Sequence, residues 1–207
     1  MDIDFIFNIA ILIMSVVIHE VSHGYMANYL GDPTAKYEGR LTLNPIKHLD
    51  PIGSFLVPII GYFSGGFIFG WAKPVPYNPH NLRPGRWSEA LVALAGPFSN
   101  LSIALIFGTF LRFSSSLGIF NPAILHITAL IVFVNIILMV FNLVPIPPLD
   151  GSKLLFAFFP QKIYQLRALF ERFGFVLVLV FIFYGWGFVA PLAYKVFSTI
   201  TGVPLAF

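Results

Sequence analysis

The sequence predicts an all-α polytopic membrane protein: about four transmembrane helices plus one element that enters the bilayer and leaves on the same side. Three observations carry this. Of 207 residues, 57% are hydrophobic and only 10% charged, against about 25% charged in soluble domains. The apolar residues fall in long continuous runs rather than alternating with polar ones, which is the pattern of helical spans and not of a β-barrel. The twelve Lys and Arg lie scattered between the runs without forming a basic stripe, so they read as topology determinants and exclude nucleic acid as a partner.

Five apolar segments follow in order: A, about 5–30; B, about 53–70; C, about 89–111; D, about 122–147; and E, about 173–190. A, C, D and E each have about the 20 residues a helix needs to cross a bilayer. The N-terminus (Met1-Asp2-Ile3-Asp4) lacks the basic region of a signal peptide, and its apolar run is too long for a cleaved one, so A is expected to be retained. No repeat or linker breaks the chain, and 1–207 reads as a single membrane domain. With no cysteine present, disulfides, haem attachment and thiolate metal sites are excluded.

Segment B differs from the others. Five glycines (Gly53, Gly61, Gly65, Gly66, Gly70) and a central Pro58 make a poor helix interior, while the β-branched and aromatic residues between them suit short extended pieces. Charge supports a dip. If B returns to its starting face, Lys36, Arg40, Lys47, Lys73, Arg83, Arg86, Lys153, Lys162, Arg167 and Arg172 share one side, leaving only Arg112 and Lys195 opposite. That is the asymmetry of the positive-inside rule, with the N-terminus outside. Non-helical backbone at that depth must be covered by protein or line a wet cavity.

The chemistry is concentrated in A, which contains His19-Glu20-Val21-Ser22-His23. Residues four apart share a helix face, so both imidazoles can reach one tetrahedral zinc while Glu20 reaches its water. Three ionisable groups in five residues of a span are costly without a partner. A catalytic zinc takes a third protein ligand, and Asp150 follows the helix-breaking prolines that end D. Asp150 could instead simply cap a helix from Ser152 to Phe159. Depth selects the ligand role. With B re-entrant, A and D run in the same direction. His19 and His23 then lie roughly 22 and 28 Å along A from residue 4, near the inner end of a core about 30 Å thick, where Asp150 also emerges.

The remaining polar residues read less sharply. His48 is expected to be a loop residue bonded to backbone, and His126 a hydrogen-bonded core group far from the site. Asn100 reads as an interhelical hydrogen bond, with Gly96 permitting close helix contact. For Asn142, two readings stand: an interhelical bond, or a donor to a substrate carbonyl or its oxyanion.

These motifs together resemble the site-2 protease family of intramembrane zinc metalloproteases. The resemblance rests on His19-Glu20-x-x-His23, on Gly96-x-x-x-Asn100, and on Asn142-x-x-Pro145-x-x-x-Leu149-Asp150-Gly151. The stretch from Gly39-Arg40-Leu41-Thr42-Leu43-Asn44-Pro45 through Gly70-Trp71-Ala72-Lys73-Pro74-Val75-Pro76 also resembles the family's re-entrant β-containing loop, here about 40–76. The resemblance implies one zinc on His19, His23 and Asp150, Glu20 as general base, and Asn142 holding the scissile peptide. It implies a cell-membrane protease that cleaves transmembrane segments of other proteins from a site near the cytoplasmic side. Many family members carry a PDZ or other regulatory domain, which this sequence lacks, so it resembles the minimal branch. Two rivals from other classes are a metal-ion transporter, which could spare Glu20 or use it as a ligand, and an inactive scaffold. The absence of an inverted repeat weighs against transport, and the intact zinc and base residues weigh against a dead scaffold.

Overall fold

The computed structural model describes residues 3–50, 53 and 72–203. The described residues form helices α1 (Ile3–Tyr29), α2 (Thr34–Tyr37), α3 (Ser88–Phe113), α4 (Pro122–Asn142), α5 (Gly151–Phe158) and α6 (Pro160–Thr201), with short 3₁₀ turns at Pro45–His48 and Pro79–Asn81. Among the described residues, four stretches are long and apolar enough to cross a membrane: Phe7–Tyr29, Ser88–Phe113, Pro122–Asn142 and Arg172–Thr201. These are the four spans expected from A, C, D and E.

Local chemistry explains the ends. The Asn121 side chain accepts from the backbone N–H of Ala123 and Ile124 at 3.0 and 3.3 Å, with Pro122 in the first turn of α4, which satisfies donors the helix cannot pair itself. Helix α6 ends at Gly202 in the left-handed region (φ 74°), a conformation glycine adopts freely. Arg112 at the end of α3 donates to the Thr199 carbonyl at 3.0 Å, placing a cation on the negative end of α6.

D stops being helical at Asn142, as the helix-breaking prolines lead one to expect, because Pro145, Pro147 and Pro148 lack the N–H groups needed to continue. The bounds of E differ from expectation. E extends in both directions into one long helix, Pro160–Thr201, which carries Pro191 in its interior. A proline is tolerated inside a membrane helix where neighbours re-satisfy the freed carbonyl.

Packing fixes the directions of the spans. Ser15, His19 and His23 of α1 meet Asn100, Gly96 and Val92 of α3 in antiparallel order. Asn135 of α4 meets Ser15 while Asp150, just beyond α4, meets His19 and His23, so α1 and α4 run in the same direction. A buried apolar cluster of Ala104, Val132, Ile136, Val140, Val189, Ala193 and Phe197 joins α3, α4 and α6. Outward-facing Leu12, Ile106, Phe183 and Phe188 are exposed, which an aqueous surface would not favour and a lipid one does.

The chain between α1 and α3 leaves and returns at the same end of the bundle. The Leu30 carbonyl accepts from Arg83 N–H at 2.8 Å, and the Asn81 amide donates to Asp32 at 2.9 Å. Most of the expected β-containing loop (51–52 and 54–71) lies outside the described residues. No strand occurs in its described parts, 40–50 and 72–76. There the Asn44 side chain takes the N–H of Ile46 and opens a 3₁₀ turn, and Pro74 and Pro76 cannot donate to a ladder.

Candidate metal centre

The first two residues of the site come from one face of α1. His19 and His23 are both buried, and their rings meet edge-on with centroids 4.6 Å apart. Each ring is held by its Nδ1. That of His23 lies 2.7 Å from the Val92 carbonyl, and that of His19 lies 2.6 Å from Asn100 Oδ1. A carbonyl oxygen only accepts, so His23 carries its proton on Nδ1 and turns the lone pair of Nε2 inward. The rings fit because residue 96 is glycine: a Cβ there would sit 2.5 Å from His23 Nε2 and 2.6 Å from His19 Nε2.

Asp150 closes the set. It precedes α5 at the position of a helix cap, yet its side chain makes no capping hydrogen bond; the capping alternative is thereby discarded. Instead Oδ2 lies 3.1 Å from His19 Nε2 and 3.3 Å from His23 Nε2. Gly151 permits this turn, since a Cβ would collide with the Leu143 and Val144 carbonyls. The buried Oδ2 has no hydrogen-bond partner. An orphaned carboxylate oxygen facing an inward-turned lone pair is unfavourable unless a proton or a metal cation sits between them. A tetrahedral zinc with ligands at about 2.0–2.1 Å separates them by about 3.3 Å, which matches the approaches to Asp150. Among the described residues this is the group of His, Asp and Glu side chains arranged to hold a metal.

Glu20, the residue after His19, is turned toward the chain that precedes α3. Its Oε2 accepts from the backbone N–H of Val75 at 2.9 Å. The segment bearing Val75 is tied down on both sides. The Arg40 guanidinium donates to the Lys73 and Pro74 carbonyls, the Lys73 N–H donates to the His48 carbonyl, and the Asn78 N–H donates to Asp32 Oδ2 at 2.6 Å. Asp32 is fully buried. Burial alone would raise its pKa, but hydrogen bonds from Thr34, Asn81 and Asn78 outweigh this and hold the carboxyl below its ordinary range.

The other expected residues divide. His48 is a buried loop residue bonded to the Thr42 carbonyl at 2.8 Å, as its sequence context suggests. His126 is exposed on the second turn of α4 rather than being a core group. The Asn142 amide donates back to Leu138 O of its own helix at 2.9 Å. Asn100 makes the expected interhelical contact, but its partner is His19 itself. Sequence reasoning missed Asn135 and Ser15, which pack on Asn100 at this depth. The signal was an amide in the middle of the most apolar span.

A bundle of membrane-crossing helices that gathers two buried histidines and a half-buried aspartate around one cation-sized position defines a membrane-embedded metalloprotein. Comparison with known proteins gives the family. The model of peptidase family M50 matches residues 119–183, a stretch that includes Asp150. The Bacillus subtilis protein named "Putative zinc metalloprotease YwhC" is 39% identical over 187 residues, covering 87% of this chain and 79% of that protein. The proteins named "Putative zinc metalloprotease Rip2" from Mycolicibacterium smegmatis and Mycobacterium tuberculosis are 31% and 30% identical, each covering 85% of this chain but 66% of their own length. No solved structure is a significant match. The chain belongs to peptidase family M50, the site-2 protease family, and its cofactor is zinc.

Proposed function

We propose that the chain is an HExxH-type zinc metalloendopeptidase that hydrolyses peptide bonds within or near transmembrane segments of other membrane proteins. The observation that carries this is the buried, orphaned Asp150 Oδ2 converging with His19 and His23 beside a carboxylate that is not a member of the set. His19 Nε2, His23 Nε2 and Asp150 are the zinc ligands. Zinc bound there lowers the pKa of a coordinated water to about 7 and polarises a carbonyl oxygen. Glu20, one residue from His19, takes the proton from the attacking water and delivers it to the leaving amine. The Val75 N–H fixes one Glu20 oxygen and leaves the other to do this. Asn142 has a second amide hydrogen to offer the scissile carbonyl, consistent with a role in holding the peptide.

The substrate helix must unwind locally, because its carbonyls are otherwise hydrogen-bonded within the helix. The Pro-rich approach between α1 and α3 is the route for water and for the unwound segment. The ten-to-two distribution of basic residues supports a site near the cytoplasmic side of the cell membrane. Glu20→Gln tests the reading on candidate single-span substrates in liposomes. The variant should keep stoichiometric zinc and lose about 10²–10⁴-fold in cleavage rate. A Glu20→Gln protein that retains zinc and cleaves at the wild-type rate contradicts the proposed role.

A further inference from the structure

The two histidines of the site are oriented by different means. His23 is set directly by a backbone carbonyl, whereas His19 faces an amide, Asn100 Oδ1, at 2.6 Å. An amide can present either its oxygen or its NH₂, so Asn100 alone does not decide which nitrogen of His19 carries the proton. The decision comes from further away. Asn135 Nδ2 lies 2.8 Å from the Ile131 carbonyl of its own helix and 2.9 Å from Ser15 Oγ. A backbone carbonyl accepts only, so the Asn135 NH₂ must point to it, which turns Asn135 Oδ1 toward α3. That oxygen lies 2.8 Å from Asn100 Nδ2 and requires a donor there. A second carbonyl, Ser15 O, makes the same demand at 3.4 Å. With its NH₂ committed, Asn100 has only its oxygen left for His19. The ring must then be protonated on Nδ1 and present the Nε2 lone pair toward Asp150.

We infer that Asn135 is a positioning residue of the metal site: through the shorter of the two contacts that orient Asn100 it fixes the tautomer of His19, so that a carbonyl on α4 helps dictate the protonation of a ligand on α1. The inference rests on the reading of His19 as a zinc ligand. The chain of bonds crosses three helices and is sealed from solvent, with Asn100 and Asn135 each 0% exposed and Ser15 4% exposed. In this setting a mis-set amide cannot be repaired by water, and the groups that hold a ligand's second nitrogen govern metal affinity.

The test is a chelator-competition measurement of zinc affinity on the purified chain in detergent. Wild type is compared with Asn135→Leu, Asn100→Asp and the double variant. Asn135→Leu removes the outer member of the relay and should weaken zinc binding by about 10–100-fold. Asn100→Asp in that background should recover most of the loss, because a carboxylate has only acceptors to show His19 and needs no orienting partner. A merely structural Asn135 would not be rescued in this way. Co²⁺ bound in place of zinc should report the same pattern in its visible ligand-field absorption. If Asn135→Leu does not fold, Asn135→Ala breaks the same bonds with less bulk. Wild-type affinity in the Asn135 variant, or equal weakness with and without Asn100→Asp, overturns the relay. A wild-type chain whose zinc affinity is unchanged by His19→Ala overturns the ligand reading on which the relay stands.

Discussion

Gly96→Ala is a one-carbon perturbation aimed at the metal centre. The added Cβ would lie 2.5 Å from His23 Nε2 and 2.6 Å from His19 Nε2, where ordinary contact begins at 3.4 Å. The rings, or the helices carrying them, must therefore separate by about 0.9 Å at His23 and by about 0.8 Å at His19. Metal–ligand distances tolerate about 0.2 Å, so neither imidazole can retreat that far and stay coordinated with Asp150. Misplacing ligand orientation alone weakens metal binding by about 10–100-fold. Disturbing both rings at once should reach at least the upper figure, about 2.7 kcal/mol. The assay is zinc content by mass spectrometry together with chelator competition. Gly187→Ala is the control, since a Cβ there meets nothing within 4 Å and alanine is the better helix former. Zinc affinity in Gly96→Ala equal to wild type would refute the close approach of α3 to both histidines.

Two further outcomes follow from the segment that holds Glu20. Val75→Pro deletes the N–H that Glu20 accepts; a hydrogen bond to a charged group contributes about 1.5–3 kcal/mol, so turnover should fall by about one to two orders of magnitude with zinc retained. Val75→Ala keeps the N–H and should lose far less, and equal losses in the two variants would remove the bond from the account. Asp32, whose carboxyl is held below its ordinary value near 3.8 by Thr34, Asn81 and Asn78, contributes stability that is complete above that value and is lost as pH falls through the depressed one. Asp32→Ala should lower thermal stability at neutral pH by about 1–3 kcal/mol and flatten the acid limb of the stability profile, as read by thermal unfolding in detergent.

How much was legible in the sequence follows from which interactions are local. The four spans are statements about hydropathy and length, and the His19–His23 pair is a statement about helical period, so both could be read directly. Asp150 is distant in sequence, yet charge asymmetry and depth placed it on the same end as the histidines. The shells behind these residues were less accessible. Whether Asn100 faces His19 or another helix depends on the rotation of α3, which apolar composition on all sides does not specify. Asn135 carried a readable signal, a lone amide in the most apolar span, whereas the Val92 carbonyl and the Val75 N–H carried none because backbone groups have no sequence signature. The prolines after Asn142 marked the end of D, but the ends of E were misjudged: hydropathy is low before Phe173, where the helix has already begun.

The most direct test of the central claim is the zinc K-edge X-ray absorption spectrum of the purified chain and of Asp150→Ala. The wild-type protein should hold one zinc in a four-coordinate shell of nitrogen and oxygen at about 2.0–2.1 Å, with two imidazoles and no sulfur, since the chain has no cysteine. Asp150→Ala should lose most of the metal or show a shell short of one oxygen. Stoichiometric zinc whose spectrum is identical in the two proteins, or a shell without imidazole, would place the metal elsewhere and contradict the assignment of His19, His23 and Asp150.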